Sequence, residues 1–291
     1  MDKCDVPLYY ISLDGKSSFD YDKYFSNVNH FKAIDLRNVS AKKLYEDKLI
    51  GLTALNSIEN GRKWHSELPG TGAVGLWQSN RILLEKLKNI KENVIICEQD
   101  CIIKNPEIYC ETVRNLKDID FDLALFGSNI LKKTNLNKIK TNTNNKSIEA
   151  YTNDISGKLL NYSDLPKIPN DFEIFKGDFV LTHNIVLSPK GINKILKYLN
   201  EPQNMQIDAL FSKLSQLDIL KVLIHNKKKT NAVQDYHPST LNNDSVCLLC
   251  DTEPNLNINM KYNISYTFII IIILLICIIF LLVVTKNKFI N

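Results

Sequence analysis

The chain has 291 residues, a net charge of +4 and 44% hydrophobic residues, enough for one large domain or two modest ones with a real core. So small a charge excess argues against a nucleic-acid partner, and the one tight basic run, Lys227-Lys228-Lys229, reads as a solvated loop. Zinc-finger spacing, an aromatic–basic RNA-binding motif and a Walker loop are all missing from the sequence.

Val6 to Leu13 reads as a first strand, ended by the turn pair Asp14-Gly15. A weak helix follows over Phe19 to Phe25, then a second strand over Phe31 to Asp35. Ser40 caps a helical patch that reaches towards Gly51. After the loop Leu68 to Gly72, apolar residues at helical spacing (Leu76, Leu83, Leu84, Leu87) predict a helix over Ala73 to Leu87.

The stretch from Asn93 to Ile103 comes next, an apolar run interrupted by Glu98 and Asp100. An ionised carboxylate is costly to desolvate inside a strand, so both acids are expected at the strand's end, in a cleft. Residues i and i+2 of an extended chain share a side, so Glu98 and Asp100 can converge on a hard cation carrying a phosphate. A solvated pair of surface acids would look the same in sequence.

Pro106 to Leu116 is predicted helical and Phe121 to Gly127 a buried strand. Asn135 to Asn145 reads as a loop. Asp178 to Leu187 is a strand pair or a bent strand. Ser188-Pro189-Lys190-Gly191 then opens a helix that runs on over Ile192 to Leu199, with Pro in the first turn. Alternating strands and helices predict an α/β fold on a mainly parallel sheet.

The odd count of seven cysteines argues against a secreted disulfide framework. Cys97 and Cys101 read as small buried hydrophobes. Cys247 and Cys250 have the spacing of half a zinc site, but no second pair follows, so a local disulfide or two free thiols fits better. No N-terminal signal peptide is expected from the polar start. At the other end, Phe268 through Val284 is an unbroken apolar run. With its flanks it reaches the roughly 20 residues that a membrane-spanning helix needs, with Tyr262 and Tyr266 on one side and Lys286 and Lys288 on the other. The expected organisation is a domain over residues 1–245, a linker over 246–264, a transmembrane helix over 265–285 and a short tail over 286–291. The lipid bilayer is thus a partner through a single C-terminal anchor. The simplest topology leaves the domain in the cytosol, with virion or endomembrane association as alternatives. The abundance of Asn, Ile and Lys fits an AT-rich genome, as in some large DNA viruses or protists.

Seven segments in order resemble glycosyltransferase family 25, the lipooligosaccharide and procollagen galactosyltransferase group. They are Ile11 to Asp14, Gly75 to Asn80, Glu98-Gln99-Asp100, Phe121 to Gly127, Ile185 to Ile192, Gln206-Ile207-Asp208 and Gln234 to Ser239. The resemblance spans roughly residues 6 to 245. It implies a GT-A-like nucleotide-sugar-binding fold, a UDP-sugar donor, a protein or glycan acceptor, and Mn²⁺ or Mg²⁺ held by Asp100 and Glu98. It further implies donor contacts from Ser12, Asp14, Ser79 and Glu98, and Asp208 as the base for an inverting hexose transfer. The chain departs from the family at Gln99, at Asn80, and after Asp14, where an arginine cluster is replaced by Lys16 alone. Those departures keep open a catalytically inactive, membrane-tethered binding or structural protein. A metal-dependent phosphohydrolase is a third reading, short of the ligands that a two-metal site wants. His183, His225 and His237 are further ligand candidates, each more often structural. Trp77 fits helix packing better than stacking on a base or sugar.

Overall fold

The structure, a computed structural model, describes residues 2–62, 66–127, 129–130, 157–159, 172–177, 179–180, 182–225 and 232–234. One compact unit spans Met1–Asp251. The predicted loop over Asn135 to Asn145, the linker, the transmembrane run and the pair Cys247 and Cys250 lie outside the described residues. Among the described residues, no helix is long and apolar enough to cross a membrane.

An eight-stranded sheet carries the fold. Its strands are β1 (Leu8–Ser12), β2 (Val28–Lys32), β3 (Val94–Glu98), β5 (Leu123–Leu125), β7 (Gly157–Leu159), β8 (Phe172–Gly177), β10 (Asn184–Leu187) and β11 (Val222–His225), in the order β2-β1-β3-β10-β5-β11-β8-β7. β10 is antiparallel to both β3 and β5, and β8 is antiparallel to β11 and β7, while the remaining neighbours pair in parallel. The other six strands therefore run one way, and the sheet is mainly parallel as expected, with two reversed strands inside it. Two short ladders stand apart: β4 (Cys101–Ile103) with β12 (Ala232–Gln234), and β6 (Asn129–Ile130) with β9 (Phe179–Val180).

The helices are α1 (Ala41–Glu46), α2 (Leu52–Asn60), α3 (Thr71–Leu87), α4 (Pro106–Arg114), α5 (Pro189–Leu199) and α6 (Ile207–Gln216). Two of the starts have a clear local cause. The Ser40 hydroxyl accepts the Lys43 N–H, and the Ser188 hydroxyl accepts the Gly191 N–H with Pro189 at the first helical position. In α5, Ile192, Ile195, Leu196 and Leu199 fall at helical spacing and are all buried.

Alternation along the strands separates two apolar layers. Val94, Ile96, Leu123, Leu125, Ile185 and Leu187 pack with the α3, α5 and α6 residues Leu84, Ile192, Ile195 and Phe211. Ile95, Cys97, Ala124 and Val186 pack on the other face with Tyr109 and Val113 of α4 and with Tyr21 and Phe25. Each fully buried Leu or Ile contributes about 1.5–3 kcal/mol relative to exposure. A third, smaller cluster joins α1, α2 and the start of α3. α3 lies so close to the end of β2 that a Cβ on Gly75 would strike the Ile34 carbonyl.

Several expectations are corrected. The single strand over Asn93 to Ile103 is two: the chain turns at Gln99 and Asp100, and Cys101–Ile103 pairs with Ala232–Gln234 instead. The second strand is Val28–Lys32, ending before Asp35, which turns to chelate Arg37. The weak helix shrinks to one 3-10 turn over Tyr21–Lys23. The strand after α4 is the short Leu123–Leu125. A disulfide joins Cys4 to Cys110 across a sequence separation of 106, with Cα atoms 5.6 Å apart. Closing a loop of that length is worth about 4–5 kcal/mol in the chain-entropy account.

Candidate functional site

The parallel strands end along one edge of the sheet, where open α/β folds bind ligands. Ile11 of β1 pairs with Glu98, the last residue of β3. On the other side the Glu98 N–H donates to the His183 carbonyl at 2.9 Å, so His183 enters β10 directly opposite Glu98. Alternation carries Glu98 and His183 to the face that Ile96 and Ile185 share, the face of α3, α5 and α6.

That face brings the predicted acids together. Glu98, Asp100 and Asp208 are each half-buried. Loss of water around its carboxyl, then the charges of Asp100 and Asp208, push the Glu98 pKa up to about 8 from an ordinary 4.5. Asp208 lies in the first turn of α6, with Gln206 as the N-cap. Its carboxylate accepts the Ala209 N–H at 2.7 Å. This position at the positive end of the helix dipole suits a negative charge. α6 therefore starts one residue before Asp208, which stands inside the helix and is not its cap.

His183 is 2% exposed, and among the described residues neither ring nitrogen has a hydrogen-bond partner. Desolvation lowers its pKa to about 4, so the ring is neutral at pH 7 and offers one nitrogen lone pair and one N–H. Gly127, at φ +76°, makes room for it. A Cβ there would strike the Ala232 carbonyl and stand 2.7 Å from His183 Nε2. His225 belongs to the opposite layer, stacked on Phe126 with ring centroids 5.0 Å apart. His237 lies outside the described residues.

The predicted donor residues behave differently from Glu98. Ser79 is fully buried in α3, where its hydroxyl donates to the Gly75 carbonyl (2.7 Å) and accepts the Ile34 N–H (2.8 Å). The first bond lies within α3 and the second ties the helix to the chain just beyond β2, so the hydroxyl is engaged inside the protein. Ser12 is also buried, its hydroxyl engaged by His30 Nε2 and by the Gly15 N–H, each at 3.0 Å. Asp14 is an exposed turn residue that accepts the Lys16 N–H at 3.1 Å, which with the Lys16 charge lowers its pKa. The loop behind it still reaches the site, because the Ser18 N–H donates to the Gln99 carbonyl at 2.7 Å. Trp77 is 3% exposed and donates to the Leu199 carbonyl, as a packing residue would.

Among the described residues, no three His, Cys, Asp or Glu side chains are gathered as a ready-made metal cage. Two carboxylates two residues apart at this turn still suit a hard cation, because Mg²⁺ and Mn²⁺ often take one or two protein carboxylates and complete their shells with substrate phosphates and water.

No family model matches the chain. No curated protein matches it either. Among solved structures it is similar to the inositol-1-phosphate CTP transferase from T. maritima, at a TM-score of 0.34 and 10% identity, covering 84% of this chain and 94% of that one. It is also similar to the apo form of mouse xyloside xylosyltransferase 1, at a TM-score of 0.30 and 9% identity, covering 76% and 84%. Likenesses this distant do not identify a reaction; the chemistry is set by the residues themselves.

Proposed function

We propose that this protein is a glycosyltransferase that moves a hexose from a UDP-sugar to a hydroxyl of a protein or glycan. One observation carries the reading: acids from separate elements, Glu98 at the end of β3, Asp100 in the turn after it and Asp208 on α6, come close enough at the sheet's carboxyl edge that the charges of Asp100 and Asp208 add to the cost of ionising Glu98. A protein tolerates such a cluster where a cation or a proton transfer uses it.

Asp100 and Glu98 would hold the divalent cation, with the neutral ring of His183 as a further donor within the same face. When bound, Mn²⁺ or Mg²⁺ neutralises charge on a leaving diphosphate. Asp208 accepts the proton of the acceptor hydroxyl as it attacks. Its carboxylate is oriented by the Ala209 N–H, and the half-buried setting of the three acids limits competing water. The loop from Asp14 to Ser18, tied to the Gln99 carbonyl, positions the donor's nucleoside side.

UDP binding measured calorimetrically with and without Mn²⁺, in wild type and in Asp100→Asn, tests the reading. Metal-dependent binding in the wild type, abolished by the substitution in a folded protein, is expected; equal UDP affinity in all four conditions rejects it. Asp208→Asn should keep donor binding and lose turnover by on the order of 10²–10⁴-fold, as a general base does. The internal engagement of the Ser12 and Ser79 hydroxyls favours a second reading, a GT-A-like domain that binds without transferring. That reading predicts Mn²⁺-dependent UDP binding with no sugar release.

The C-terminal run over 265–285 is proposed as a lone membrane anchor. Truncation after Lys261 should leave a soluble, folded domain, and continued partition into membranes after a high-salt wash would reject it. The Cys4–Cys110 bond supports an oxidising side, endomembrane lumen or virion, over the cytosol for the domain.

A further inference from the structure

The chain has four arginines, and one of them differs from the rest. Arg37 Nε donates to Asp35, Arg81 Nε to Gln78 and Arg114 Nε to Asp5, each at 2.8 Å. None of those three residues is buried. Arg62 is 8% exposed, and among the described residues its Nε–H has no acceptor. A guanidinium does not lose its proton in a protein. Buried charges are ordinarily paired, because an unpaired one is costly to take out of water. The fork of Arg62 is therefore prepared for an anion that the described residues do not supply.

Its place in the fold says which anion. Arg62 follows Gly61, the residue that ends α2, and opens the connector to α3. That connector is pinned to the acidic corner. The Ser66 carbonyl accepts the Gln206 N–H at 2.8 Å, and Gln206 is the N-cap of α6, two residues before Asp208. The Leu68 carbonyl accepts the Ser57 hydroxyl at 3.3 Å, which draws the connector back onto α2. α3 then leads directly into β3, so its N-terminus lies at the edge where β3 ends. Two contacts just beyond β2 agree: the Thr71 hydroxyl donates to the Arg37 carbonyl at 3.4 Å, and Gly75 lies against the Ile34 carbonyl. Gly70 is the N-cap of α3, and no side chain caps this 17-residue helix. Its first N–H groups and the positive end of its dipole therefore favour an anion at the carboxyl edge.

We propose that Arg62 and the first turn of α3 form an anion subsite beside the acidic corner, which takes the diphosphate of a nucleotide donor. The nucleotide rests on the function proposed above; the anion subsite does not. A diphosphate entering beside Glu98, Asp100 and Asp208 meets like charge, and a divalent cation offsets only part of it. A fixed cation has to offset the rest. The loop after β1 offers Lys16, whose side chain is 86% exposed and drawn to Asp14 at 3.6 Å. Arg62 supplies instead a buried planar fork, which matches two phosphate oxygens at once and is little screened by water.

The test uses the full chain in detergent, with EDTA present so that no cation carries the anion in. Calorimetry with inorganic pyrophosphate should show binding to the wild type, weakened about 10- to 100-fold in Arg62→Gln, the range for a hydrogen bond to a charged group. Arg62→Lys keeps the charge without the fork and should fall between the two. UDP should compete with pyrophosphate. Thermal unfolding separates binding from a structural role. Arg62→Gln removes a buried charge, so in anion-free buffer its Tm should equal or exceed that of the wild type. Pyrophosphate should raise the Tm of the wild type and leave that of Arg62→Gln unmoved. The proposal is overturned if the wild type binds no pyrophosphate, if Arg62→Gln binds it equally well, if UDP fails to compete, or if Arg62→Gln melts lower without any anion. UDP binding that depends on Arg62 but gains nothing from Mn²⁺ would reject the cation site and leave this subsite standing. Mn²⁺-dependent UDP binding that is unchanged in Arg62→Gln would do the reverse.

Discussion

The two ends of the central sheet treat buried carboxylates in opposite ways. At the carboxyl edge, Glu98 meets Asp100 and Asp208, and its pKa rises to about 8. At the opposite edge Asp122, fully buried, is surrounded by compensation. Its Oδ2 accepts from Lys194 Nζ at 2.5 Å and from the Lys221 N–H at 2.8 Å, and Lys190 Nζ stands 3.9 Å from its Oδ1. Lys194 is itself fixed by the Ile219 carbonyl at 3.0 Å. A balanced carboxylate ties α5 to the start of β5 and the approach to β11. Acids gathered beside one another instead keep a standing affinity for protons or cations. The same residue type thus builds the fold at one end and a candidate site at the other.

Breaking the balanced end should have the largest effect. Asp122→Ala takes the buried partner from part-exposed Lys194 and from the Lys221 N–H and leaves a cavity, so a loss of about 3–5 kcal/mol is expected from denaturant unfolding. A loss below about 1 kcal/mol would mean that the pair is dispensable. Next comes Gly127→Ala, at the carboxyl edge. Its positive φ and the approach of the Ala232 carbonyl and His183 should together cost roughly 2–4 kcal/mol, read as a fall in Tm with His183 displaced.

The unbalanced end should respond with the other sign. Glu98 in the folded protein keeps its proton up to about pH 8, whereas the unfolded chain releases it near 4.5. Its contribution is fully present below 4.5 and is lost as pH rises through 8. Glu98→Gln should therefore gain on the wild type steadily between those values. The gain should reach on the order of 1–2 kcal/mol at pH 8, after discounting for the water that a half-buried carboxyl still meets. Parallel Tm-against-pH curves for the two proteins would remove the coupling of the acids. Smallest is Lys190→Ala. Its 2.8 Å pair with Asp120 is about half exposed on both sides, so a change within about 0.5 kcal/mol is expected. A much larger effect would extend the balanced network outwards to the surface.

Much of this contrast was legible before any coordinates. Ser40, and Ser188 with Pro189, mark helix starts through local hydrogen bonds that need no tertiary partner. The spacing of Leu76, Leu83, Leu84 and Leu87 marks α3. The cost of burying an ionised acid alone placed Glu98 and Asp100 at a strand end. Local pattern misled where the answer depended on a distant partner. Apolar residues resume at Cys101 to Ile103 as though one strand ran through the acids, yet Cys101–Ile103 leaves the main sheet because Ala232–Gln234 lies beside it. Ser12 and Ser79 carry hydroxyls fit for a donor, and only the packing of β1, β2 and α3 turned them inward.

What the sequence by itself determined were the properties written into neighbours on the chain: element type, caps, the apolar layers and the acidic character of the turn after β3. Tertiary structure alone decided which residues far apart in sequence meet. It reversed β10 so that His183 faces Glu98, brought Asp208 on α6 to the same corner, joined Cys4 to Cys110 and set Asn184 across Cys97 and Cys101. The physical reason is range. Helix and strand preferences act within a few residues, whereas the pKa of a buried acid and the partner of a thiol are set by atoms a few ångströms away in space, whatever their distance along the chain.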